Sequence, residues 1–239
     1  YGDELKKQHR RLSKTKDPGI NSVPVGSEDI IEMYPLDFEE FLWANGMSTG
    51  VIDALSKCYA QESPVPAGIH VALKNMLNLY VAVGGLPDAV NAFLRTNNMN
   101  EVRKVYQSIL KEYRDDMVKY APDKDKPHIR ECFNSVPKQL AKENKKFIYG
   151  VVKQGARAKD YELAIQWLID AGLVYKINRV KMLGLPLKIH EDISAFKLFL
   201  LDCGLLGAMS KTPAALLLLQ NNDNTGKGDF TENFVCSQM

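Results

Sequence analysis

The stretch KDYELAIQWLIDAGLVYKINRV, residues 159–180, decides how this chain is read. Its first half sets Tyr161, Ala164, Ile165, Leu168 and Ile169 at the i, i+3, i+4, i+7, i+8 spacing of one helical face. Gly172 follows as the helix stop. The pattern then changes period. Residues 173–180 are β-rich, 185–190 read as extended, and 195–201 alternate through Phe196, Leu198 and Leu200. Upstream, 129–133 and 136–140 read as two short helices. Helices followed by a β-hairpin, in that order, predict a winged helix-turn-helix over residues 123–212.

The region before it reads as almost wholly helical from 27 to 120. Asp37, with Glu40 three residues on, has the form of a capping box opening a helix that Gly46 ends. Ser48 caps a second helix running to about Ala60, and residues 61–66 form a linker. A longer helix carries Leu73, Met76, Leu77 and Tyr80 and stops at Gly84-Gly85-Leu86-Pro87. Pro87 suits the first turn of the next helix, where its missing N–H costs nothing. Another helix, about 100–120, aligns Val102, Val105, Tyr106, Ile109, Leu110 and Tyr113 before Pro122 closes it. After the hairpin, 203–209, 213–220 and 230–239 read as helices, and polar residues 221–229 as a loop.

Composition narrows the class. The chain has 239 residues, 45% hydrophobic and 25% charged, in the range of soluble globular proteins. Its densest apolar run, 214–219, is far short of the ~20 residues that span a bilayer. Cys58, Cys132, Cys203 and Cys236 are scattered with no C-x-x-C pair, which points to free thiols in a reducing, cytoplasmic setting. The net charge of +2 hides blocks. Residues 1–16 are basic, 17–62 hold nine acids against one base, and 138–159 hold seven bases against one acid. Such blocks steer partners.

Several chemistries are not encoded. The Gly226-Lys227 pair has Asn221 where a phosphate loop needs its first glycine, and Gly228 where it needs Ser or Thr. His9, His70, His128 and His190 lack metal-ligand spacing, so no metal site is expected. No Gly-x-Ser-x-Gly elbow is present. Asp115 and Asp116 are helix neighbours whose side chains diverge. No catalytic residue is therefore assigned. Trp167 reads as a core residue of the winged helix.

A winged helix suggests a binding surface. Its second helix enters a DNA major groove in helix-turn-helix proteins. Lys145, Lys146, Lys153, Arg157 and Lys159 lie before or at the start of that helix and are the candidates for phosphate contact. The face that would read bases carries Lys159, Asp160, Glu162 and Gln166. Its two acids oppose tight nucleic-acid binding. Double-stranded DNA, a protein partner and a homo-oligomer all remain open as partners.

Six strings in order carry a resemblance: YPLDFEEFL (34–42), GGLPDAV (84–90), YRDD through KY (113–120), VPKQLA (136–141), WLIDAGLVYK (167–176) and FKL through DCGLL (196–206). Together they resemble prokaryotic AAA-type ATP-binding proteins with an uncharacterised, nuclease-like C-terminal domain. The resemblance covers roughly residues 20–239. It implies a mainly α chain with a helical lid bundle, then a winged helix-turn-helix with a small β-hairpin. It divides the chain into the tail of an ATPase core (1–26), the lid (27–122), the winged helix (123–212) and the start of a C-terminal domain (213–239). Glu232-Asn233-Phe234 matches the entry into that last domain. Tyr1 in place of Met, and an end inside a helix, fit a piece of a longer protein.

In that family the full-length protein would bind ATP and Mg, while this chain, without Walker motifs, would bind neither alone. Gly85 and Pro87 resemble the Gly-x-Pro turn that sets a lid helix over adenine. A partner, DNA or protein, would then sense the nucleotide through the winged helix.

Overall fold

The computed structural model describes residues 33–142, 146–218 and 228–239. The expected helix at the N-terminus, the 1–26 segment, Lys145 and residues 221–227 of the expected loop lie outside them, while Gly228 and Asp229, also expected in that loop, open a helix. The fold is mainly α with one small β-hairpin. In chain order the helices are α1 (Phe38–Ala44), α2 (Thr49–Ala60), α3 (Ala67–Val83), α4 (Pro87–Thr96), α5 (Met99–Tyr120), α6 (Lys126–Leu140), α7 (Tyr149–Val152) and α8 (Ala158–Asp170). Strands β1 (Val174–Val180) and β2 (Glu191–Leu200) pair next, and α9 (Cys203–Ser210), α10 (Ala214–Leu218) and α11 (Gly228–Ser237) follow.

Two compact units result. One takes Leu110–Phe199; the other takes Tyr34–Ile109 together with Leu200–Met239. These divisions differ from 122 and 212, because residues after 200 bond to the first helical region, with Asp202 accepting the Gly85 N–H at 2.8 Å and Gln238 the Phe38 N–H at 2.7 Å. In the second unit Asn233 receives the Leu200 N–H at 2.8 Å and returns a bond to its carbonyl at 3.1 Å.

In the first unit α6 packs against α7 and α8, and the hairpin follows as a wing. One continuous α6 replaces the two short helices expected at 129–133 and 136–140. Pro137 sits inside it without ending it. An interior proline costs about 3 kcal/mol. Here the buried row Ile129, Cys132, Phe133, Val136 and Leu140 runs straight through it. Each fully buried aliphatic or aromatic side chain contributes roughly 1.5–3 kcal/mol, so continuity wins. α6 packs on α8 through Tyr161, Ala164, Ile165 and Leu168, all buried as the spacing predicts. Trp167 is only half-buried.

A third edge completes the wing. The Phe147 N–H bonds the Phe196 carbonyl at 2.8 Å, and the two rings stack at 5.2 Å. Buried Gln139 fixes the entry to α7, accepting from the Ile148 N–H at 3.1 Å and donating to the Ile148 carbonyl at 2.9 Å. Residues 187–190, expected to be extended, instead form a single 3-10 turn. β2 begins earlier than the alternation indicated, at Glu191, because Lys181 N–H pairs with the His190 carbonyl.

The second unit is helical. The capping box is present: Asp37 accepts from the Glu40 N–H at 2.8 Å, and Glu40 accepts from the Asp37 N–H at 3.0 Å. Ser48 precedes α2, but its hydroxyl makes no capping bond. The core gathers Phe38, Phe41, Tyr80 and Phe234 in edge-to-face contacts of 5.2–6.1 Å. Pro87 opens α4 as expected. α3 and α4 bend through 117° at the glycine turn between them. Among the described residues no single helix is long and apolar enough to cross a membrane.

Candidate functional site

The glycine turn of the second unit is built around a buried carboxylate. Gly84 has φ +83°, and any Cβ on it would meet the Tyr106 hydroxyl and the Asp202 carboxylate. A Cβ on Gly85 would drive into the Leu36 carbonyl. These two glycines are required because polar groups close on them from both sides. The Gly85 N–H donates to Asp202 Oδ2 at 2.8 Å. The Tyr106 hydroxyl lies 2.6 Å from Asp202 Oδ1 and 2.9 Å from the Val83 carbonyl. The Leu205 N–H reaches Oδ1 at 3.1 Å, so Asp202 also caps α9. On the far side, Leu36 N–H bonds the Gly85 carbonyl at 2.8 Å, and Tyr80 donates to the Leu36 carbonyl at 2.7 Å.

Burial raises the Asp202 carboxyl above its ordinary value, against the pull of its four hydrogen-bond donors. Burial, then Asp202 itself, pushes the Tyr106 phenol well up. Gly85 is thus spent on the protein: its N–H is taken and its open side is filled. It offers nothing to a nucleotide. Pro87 is half-buried. Asp202 and Tyr106 were invisible as a site in the sequence, since they sit 117 and 23 residues from their turn partners Gly85 and Val83.

The winged-helix surface lies in the first unit. Tyr161 of α8 donates to Glu131 of α6 at 2.6 Å, and Lys153 reaches the other Glu131 oxygen at 3.3 Å. Burial opposes ionisation of Glu131, but these bonds outweigh it and hold its carboxyl below the ordinary value. Burial and the Glu131 charge raise the Tyr161 phenol. Lys153 is therefore engaged within the fold. Arg157, at the cap of α8, and Lys159, in its first turn, are exposed with no ion pair among the described residues. Lys146 is engaged in an interaction of its own, and Lys145 lies outside the described residues. The structure thus leaves two of the five basic candidates clear at the start of α8. The rest of its outer face is Asp160, Glu162, Leu163 and Gln166, all exposed.

The wing carries a feature the sequence reading missed. Between Lys181 and His190 the hairpin tip exposes Met182, Leu183, Leu185, Leu187 and Ile189, with Leu183 91% and Leu185 92% exposed. Hairpin tips are normally polar. The signal was present: KMLGLPLKIH alternates leucine with Gly, Pro and Lys, and has no neighbouring period to bury it. Below the tip, cross-strand bonds hold the strands. Arg179 pairs with Asp192, and Asn178 donates to Glu191 at 3.0 Å. Lys176 lies over the Phe196 ring at 4.6 Å.

All four cysteines are free thiols. Burial pushes the Cys132 thiol up to about 12 and raises Cys203 further, so neither is poised as a nucleophile. No cluster of His, Cys, Asp and Glu among the described residues could hold a metal. No curated protein and no solved structure matches the chain. A family model described as "Domain of unknown function (DUF8612)" matches residues 74–216, more than half of the chain, which therefore belongs to that family.

Proposed function

We propose that this chain is the non-catalytic lid and winged-helix portion of a cytoplasmic AAA-type ATP-binding protein, and that its winged helix relays nucleotide state to a protein partner. The six ordered strings support the AAA reading, and the four free thiols suit a reducing compartment. ATP and Mg belong to the phosphate-binding core of such a protein. This chain's contribution is Pro87, held by the Gly84-Gly85 turn and its Asp202–Tyr106 clamp where it can lie over a base. The observation that carries the choice of a protein partner is the wing tip. A contiguous exposed apolar patch marks a protein interface, whereas phosphate contact calls for free cations.

The test uses the full-length parent. Hydrogen exchange of residues 181–190 is compared with ADP bound and with a non-hydrolysable ATP analogue. A coupled wing exchanges differently in the two states. Identical exchange removes the relay. Replacing Pro87 by Ala should weaken ATP binding; unchanged affinity removes the lid role.

A second reading, a DNA-binding winged helix, is favoured by exposed Arg157 and Lys159 at the start of α8. It predicts duplex binding that falls steeply with salt and is lost in Arg157→Ala with Lys159→Ala. It also predicts that Leu183→Ser with Leu185→Ser leaves DNA binding intact.

A further inference from the structure

Each unit carries one solvent-facing surface with an apolar centre and charge of one sign. On the wing tip, Lys181, Lys188 and His190 surround exposed leucines, and residues 181–190 contain no carboxylate. In the other unit, residues 34–62 carry Asp37, Glu39, Glu40, Asp53 and Glu62 against Lys57 alone. That acidic segment is also incompletely covered. Helix α2 has no buried residue, although Val51, Ile52 and Leu55 fall on one face at helical spacing. Trp43 is 47% and Tyr59 89% exposed.

Among the described residues Val51, Ile52 and Leu55 are only half-buried, so that face keeps apolar area uncovered for a partner. A basic apolar tip is complementary in charge to such a face.

We propose that these surfaces bind one another between two copies of the chain, the wing tip of each copy seating on α1–α2 of the other. The inference rests on reading the wing as a protein-docking element, and it names that partner. Reciprocal seating would give each pair of copies two equivalent contacts. Attraction between the lysines and carboxylates is exposed, so it weakens with salt.

Sedimentation velocity of the 239-residue chain, from about 1 to about 100 μM, reads the association. The mass should rise from 26.8 kDa toward twice that value as concentration increases. Leu183→Ser with Leu185→Ser changes only exposed residues, so the fold survives, and dissociation should strengthen at least about tenfold. Two charge reversals decide the pairing. Lys181→Glu with Lys188→Glu alters the tip, and Glu39→Lys with Asp53→Lys alters the face. Each alone should weaken self-association.

Mixed together, the two reversed variants present complementary charge at both contacts, and the heterodimer should regain the parental affinity. A monomer across the whole range overturns the inference, as does a mixture that stays monomeric. So does loss of association in the tip variants with none in the face variant. None of these outcomes touches the nucleotide-dependent exchange of the wing, so docking to a different protein would stand or fall on that separate measurement.

Discussion

The tripeptide Gly-Leu-Pro occurs twice, at 85–87 and at 184–186, and the two copies have opposite fates. Leu86 is 1% exposed and Leu185 is 92% exposed. The first copy turns between two helices with Asp202, Tyr106 and Leu36 closing on it. The second sits at a hairpin tip where a Cβ on Gly184 would meet the His190 imidazole first. Identical local chemistry is core in one unit and surface in the other. Burial is decided by residues distant in sequence, and a surface leucine that no packing explains becomes a candidate for docking.

The contrast is sharpest at the glycines. Gly84→Ala places a Cβ against backbone-anchored polar groups at a positive φ. It should cost roughly 3–5 kcal/mol or prevent folding. Gly184→Ala needs only a shift of the His190 ring and should stay within about 1 kcal/mol. Urea unfolding of both variants measures the gap. Equal losses would mean the turn is not the rigid element described above.

The leucines give the next largest difference. Leu86→Ala should lose about 2–4 kcal/mol, the cost of a cavity in a packed site. Leu185→Ala should change stability by no more than about 0.5 kcal/mol. A destabilised Leu185→Ala would show that the tip is covered in solution even at low concentration.

How much of this was legible follows the same division. The capping box at Asp37, the stop at Gly172, Pro87 as a helix start and the face of α8 are local signals, and each appears where the residues place it. The two short helices expected at 129–133 and 136–140 merge because a buried stripe runs through both and past Pro137. The Asp202 clamp was illegible, because neither Asp202 nor Tyr106 has any local feature that marks a buried partner. The basic block at 138–159 was legible as charge but not as availability. Its Lys153 turned out to serve Glu131.

Asp202 provides a third and smaller test. Asp202→Asn keeps the shape but replaces an accepting oxygen with a donor that faces N–H groups, costing about 2 kcal/mol. The sign of its pH dependence is fixed by the raised folded value. Between the ordinary carboxylate pKa and the folded one, the folded state holds the extra proton. Native stability from this group is therefore fully present below the ordinary value and declines as pH rises through the window. The variant lacks that titration. The stability gap between parent and variant should be widest in acid and narrow toward neutral pH, as unfolding at several pH values would reveal. A gap that widens toward neutrality would contradict the burial of Asp202.

The wing responds with the opposite sign and the least energy. Asp192 accepts from the Ser194 hydroxyl and backbone N–H and pairs with Arg179, which together hold its carboxyl down to about 2. A depressed carboxylate contributes stability that is present above its ordinary value and is lost as pH falls through about 2. Arg179 is largely exposed, so solvent screens the pair and the contribution is small. The Asp202 turn should therefore tighten on acidification while the strand pair beneath the wing tip loosens. Amide exchange at pH 2 and below separates the two: β1 and β2 around Arg179 and Asp192 should lose protection while Gly85 keeps it. Protection lost first at Gly85 would reverse the assignment, making the glycine turn the weaker of the two Gly-Leu-Pro sites.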